Sequence, residues 1–212
     1  MAHRPYERWE EIAHSASHAI GALACAAGLV LLIITASVHG DAWRIVGGIA
    51  FGSSAILLLT TSALYHGATG MRAKLILQRL DHSAIYLLIA GTYTAFIMSS
   101  MRDAWGWGLF GVVWLLAVVG IGNEFREQTR RPVVSASLYL GMGWLGIVGT
   151  KQFMASLSTS QLHWILAGGI MYTLGIPFYV WKSRPFTHVA WHFFVLAGVA
   201  CHFVAVLSVM HL

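Results

Sequence analysis

Two histidines four residues apart, His188 and His192, open the last apolar stretch of the chain, HVAWHFFVLAGVACHF. Histidine inside a membrane helix is costly and is a functional candidate by default. Residues i and i+4 share a helix face, about 6 Å apart along the axis. Helical zinc motifs use this spacing to place two imidazoles on one ion. Two imidazoles are an incomplete ligand set, so the elements that bring further donors decide the chemistry.

Those elements are membrane helices. The chain of 212 residues is 58% hydrophobic and 10% charged, whereas soluble domains carry about 25% charged residues. A hydrocarbon core about 30 Å thick needs roughly 20 apolar residues in a helix. Seven stretches qualify, near 17–38, 43–66, 82–100, 104–123, 133–155, 160–181 and 187–210. The expected fold is all-α, a single seven-helix transmembrane domain over 1–212. The fifth stretch is the weakest, because glycine is frequent in it and Lys151 and Gln152 lie near its end. Gly48 and Gly52, at i and i+4, suit close helix approach. Segment 5–16 reads as a short amphipathic helix on the membrane surface, with Glu11, His14 and His18 on one face. That face either stands beside a metal or packs and solvates. No small-residue cleavage site follows the first apolar run, which is expected to be retained as a span. Cys25 and Cys201 both fall in apolar stretches and read as small core residues, not as a disulfide.

The net charge of +5 has a topological explanation. Arg4, Arg8, Arg72, Lys74, Arg79, Arg126, Arg130, Arg131, Lys182 and Arg184 fall on one side of the alternating spans, ten of the 13 Lys plus Arg. Arg44, Arg102 and Lys151 fall on the other. By the positive-inside rule the amino terminus is expected in the cytoplasm and the carboxyl terminus outside, in a multi-pass protein of the inner, cytoplasmic membrane. The excess of cations is thereby membrane topology, and no nucleic-acid partner is expected.

The same alternation predicts a convergence. Span 2 ends with Ser62 and His66, span 3 begins with Asp81 and His82, and span 7 begins with His188 and His192. All sit at similar depth at one membrane surface. Three imidazoles, His66, His188 and His192, with an open fourth position match a catalytic zinc site better than a closed structural one. Zinc lowers the pKa of a bound water to about 7. Asp81 is placed to orient or deprotonate water, and Ser62 to hydrogen-bond it or to support an oxyanion.

Plainer roles exist for several of these residues. His66 alone fits an interfacial helix end, and Asp81 alone fits the amino-terminal cap of helix 3. His82 points about 100° away from Asp81 and is left out of the ligand set. His202 reads as a core histidine bonded to a neighbouring helix, and His3, His39, His163 and His211 as solvated. Trp105, Trp107, Tyr179 and Trp181 fit interfacial aromatic belts. Pro132 and Pro185 precede helix starts, and Pro177 lies inside span 6, where it is expected to kink the helix.

Over nearly its whole length the chain resembles the bacterial haemolysin III family, a branch of the progestin and adipoQ receptor superfamily. The resemblance rests on Glu11 with His18, SALYH at 62–66, RLDHSAIYLLIAGTYT at 79–94, and HVAWH at 188–192 followed by His202. It implies zinc at His66, His188 and His192, with Asp81 and Ser62 beside the zinc-bound water. Two positions depart from the pattern: His14 stands where Asn is usual, and Ala95 where Pro usually follows GTYT.

The resemblance extends to alkaline ceramidases, which implies a zinc-dependent hydrolase of a lipid amide or ester, with Asp81 as general base then acid and Ser62 at the oxyanion. The alternatives are a non-enzymatic sensor of membrane lipid or fluidity with a structural zinc, and a cytolytic pore former, for which no polar stripe is seen in the spans. Membrane lipids are the expected partners under any of these readings.

Overall fold

The computed structural model describes residues 6–38, 41–126, 132–181 and 183–211. Arg4, Arg130, Arg131, Lys182, His3 and His39 lie outside them. The described chain is helical, and seven helical segments are long and apolar enough to cross a membrane. They comprise α1 (Arg8–Val38), α2 (Ala42–Gly67), α3 (Met71–Ser100), α4 (Ala104–Glu124), a broken fifth segment, α7 (Thr159–Val180) and α8 (Thr187–Met210).

Local chemistry sets the helix ends. Asp41 accepts from the Trp43 N–H at 2.9 Å and caps α2, and Asp103 accepts from the Gly106 N–H at 2.8 Å and caps α4. Ser158 and Gln161 form a reciprocal capping box on α7. The fifth segment breaks into α5 (Pro132–Gly143), a 3-10 turn (Leu145–Gly149) and α6 (Thr150–Ser156). Glycines at 141, 143, 146 and 149 weaken the helix there. The Tyr93 hydroxyl satisfies the interrupted backbone, donating to Gly143 O and accepting from Gly146 N–H, both at 2.9 Å.

Two boundaries differ from expectation. The segment at 5–16 is no separate surface helix: from Arg8 it is the first turns of α1, because no Gly or Pro interrupts the chain before Gly21. Helix α3 starts at Met71 immediately after Gly70, well before 82. Asp81 is therefore mid-helix and does not cap it.

Helix α3 is the central element, packing on α2, α4, α5 and α8, while α1 bridges α2 and α8. Small residues allow this closeness. A Cβ at Gly52 would lie 2.7 Å from Leu29 Cδ1, and one at Gly91 would lie 2.7 Å from the Ala50 carbonyl oxygen. Leu115, Val118 and Val148 are exposed around the bundle, as a lipid-facing surface requires. Trp107 and Trp181 are also exposed, but Tyr179 is buried against Trp191 and His82 and belongs to no interfacial belt. Its ring fills space between α7, α8 and α3. The two cysteines are free.

Candidate metal centre

The start of α8 is held by the start of α1. Phe186 precedes α8 in the left-handed region at φ 59° and brings no side-chain cap. Its N–H donates instead to Glu10 Oε1 at 2.7 Å, while Glu10 Oε2 accepts from the Glu7 N–H at 2.9 Å. One buried carboxylate thus joins two helix amino termini, a charge-assisted bond of the stronger kind. It sets the register at which α8 presents His188 and His192, one turn apart.

His66 reaches the same spot from the last turn of α2. One ligand-capable atom from each of His66, His188 and His192 lies within 4.8 Å of the others, and all three residues are buried. The ring centroids are 5.2 Å apart for His66–His188, 5.0 Å for His66–His192 and 4.9 Å for His188–His192.

Helix α1 surrounds this trio with polar groups. Glu11 Oε2 is 2.6 Å from His66 Nδ1, and its other oxygen meets the Lys74 ammonium. Ser17 Oγ is 3.3 Å from His192 Nδ1. His18 stacks on His192 at 3.7 Å between centroids, and Tyr6 stacks on His188 at 5.3 Å. His14 is wholly buried and closes a second group with Glu11 and His66.

The donor chemistry fits a divalent transition metal. Metal-bound histidines usually engage a carboxylate or another polar group through the ring nitrogen that does not ligate. His66 and His192 each do so through Nδ1, to Glu11 and Ser17, which leaves Nε2 as the ligating atom. Nε2 of His66 is buried without a hydrogen-bond partner in the protein, an arrangement that a bound ion satisfies. Neutral imidazoles suit zinc and its neighbours in the first transition row.

Asp81 and Ser62 are neighbours, both buried between α2 and α3. Ser62 is one turn before His66 on α2. His82 turns away to a second polar cluster, with Nδ1 3.3 Å from Glu124 Oε2. There Ser135 donates to Glu124, and Tyr139 donates to the His82 carbonyl at 3.0 Å. His202 bonds the Ile165 carbonyl of the neighbouring α7 at 3.2 Å, as a core histidine. His163 and His211 are exposed.

Glu10, Ser17 and Glu124 join these polar clusters without having stood out in the sequence. Glu10, His14, His18 and Gly21 form the buried stripe of α1, and their spacing of four, four and three residues was the available signal. Glu124 had none, because its partners come from α3 and α5.

A cavity of about 350 Å³ lies within the bundle. Its wall includes Leu58, Ile85, Trp191 and Val195, each within a turn of Ser62, Asp81 or His192 along its helix, but not those three residues themselves, and it extends to Phe153 and Ile165.

Residues 6–203 match the profile of the family described as Haemolysin-III related. The chain is 45% identical to a Hemolysin-3 homolog of Bacillus subtilis (strain 168), over 93% of each protein. It is 42% identical to Hemolysin-3 of Bacillus cereus, over 93% of this chain and 90% of that one. The human monocyte to macrophage differentiation factor is 25% identical, over 93% of this chain and 83% of its own.

Proposed function

The chain belongs to the haemolysin III-related family of the progestin and adipoQ receptor superfamily, and from that premise we propose a zinc-dependent membrane hydrolase of a lipid amide or ester bond. The observation behind the proposal is the buried trio His66, His188 and His192, with ligand atoms within 4.8 Å of one another. Ser62, one turn before His66 on α2, its neighbour Asp81 on α3, and the apolar cavity within the bundle support it. A zinc ion bound by the trio supplies polarisation of a carbonyl and activation of water.

The protein groups do the rest. Asp81 takes a proton from the attacking water as the new C–O bond forms, and delivers it to the departing nitrogen or oxygen as the C–N or C–O bond breaks. Ser62 donates to the carbonyl oxygen as charge develops there. The cavity shelters an aliphatic chain of the lipid, with its scissile end toward the histidines. The cation-rich end of the bundle, where this centre sits, faces the cytoplasm.

Purified protein assayed against long-chain lipid amides and esters tests this, with Asp81→Asn alongside. Turnover lost in Asp81→Asn with zinc content retained is the expected result. No turnover in the wild type, or equal turnover in both, favours the second reading: a lipid sensor in which zinc braces α2 against α8.

A further inference from the structure

Four imidazoles, not three, stand around the centre. The His14 ring centroid lies 4.5 Å from that of His66, 5.0 Å from His188 and 5.0 Å from His192. The three ligand candidates are themselves 4.9–5.2 Å apart. The six separations describe a nearly regular tetrahedron of rings. A tetrahedral ion with Zn–N bonds of about 2.0–2.1 Å places imidazole centroids about 5 Å apart. His14 is also wholly buried, and its Nε2 has no hydrogen-bond partner in the protein.

We propose that His14 is a fourth nitrogen ligand, closing the centre in its resting state and swinging off to open it. The proposal rests on the reading that His66, His188 and His192 hold an ion. In this same position the ring has its Nδ1 3.7 Å from Glu11 Oε2, and its ligand atoms group with Glu11 and His66, not with His188 and His192. With the His14 ring rotated so that a nitrogen meets the ion, the ion has four imidazoles and no free position. With its nitrogens turned toward Glu11, one position is open to water or substrate. Closed sites are structural and open ones catalytic, so this one side chain selects between the two behaviours. His18 is not the fourth donor, because its ring lies flat on His192 at 15° between planes.

Zinc-edge X-ray absorption on the zinc-loaded full-length protein in detergent counts the imidazoles directly, without any activity assay. Four are expected in the wild type, and three with one oxygen in both His14→Asn and His14→Ala. In the cobalt-loaded forms, added azide is expected to change the visible spectrum of His14→Asn and leave that of the wild type unaltered. Three imidazoles and an oxygen in the wild type overturns the proposal while leaving the three-histidine centre intact, and needs no variant that folds. Four imidazoles in His14→Asn also overturns it, since the fourth is then another residue. A protein that takes up no zinc overturns both readings together.

Discussion

Glu11 stands 2.6 Å from Nδ1 of His66, and through its other oxygen it meets Lys74. A single carboxylate on α1 therefore ties the end of α2 to the start of α3 and orients the imidazole that α2 contributes. Such outer partners hold the tautomer and raise the basicity of a ligating ring. In Glu11→Gln, zinc affinity measured by competition with a chelator is expected to fall about 10–100-fold. Unaltered affinity would show that the carboxylate does not serve His66.

Glu10 acts on the backbone. Its carboxylate is buried and accepts the N–H of Phe186, whose left-handed conformation has no other cap. A hydrogen bond to a charged group contributes about 1.5–3 kcal/mol. Glu10→Ala is expected to lower thermal stability by that order and to weaken zinc binding through α8. Glu10→Gln, which keeps an accepting oxygen, is expected to fall between the two. A Glu10→Ala protein as stable as the wild type refutes the clamp.

Gly91 faces α2 so closely that a Cβ would lie 2.4 Å from Ser54 Oγ and 2.7 Å from the Ala50 carbonyl oxygen. Backbone cannot yield as a flexible side chain does. Gly91→Ala should destabilise the bundle by about 1–3 kcal/mol. A detergent-solubilised melt with no shift in midpoint would show that α2 and α3 have slack.

Orientation is tested by labelling. Gly70 is exposed between α2 and α3, with open space where a Cβ would stand. With Cys25 and Cys201 replaced by serine, a cysteine at position 70 is expected to react with an impermeant maleimide in inside-out vesicles and not in right-side-out ones. The opposite pattern would invert the topology drawn from the cations.

Much of the architecture was legible in one dimension. Seven apolar stretches were enough for an all-α bundle, because the hydrocarbon core dictates helix length and forbids unsatisfied backbone. The weakness of the fifth stretch was legible too, in its glycines, and it is there that the chain breaks into α5, a 3-10 turn and α6. Starts were read less well. Hydropathy finds the lipid-crossing part of a helix, not its full extent, so the polar turns before Ser17 and before His82 were assigned to surface or link although no Gly or Pro ends the helix there.

By itself the sequence determined which residues could meet: span alternation put His66, His188 and His192 at one depth, and one hand of the helix separated Asp81 from His82. Only the tertiary structure decided that α1 closes over them. It buried Glu10, His14 and His18, laid Glu11 behind His66, and sent His82 to Glu124 at the end of α4. The reason is physical: periodicity along a helix says which residues share a face, but which neighbour that face meets depends on the rotation and packing of whole helices against one another.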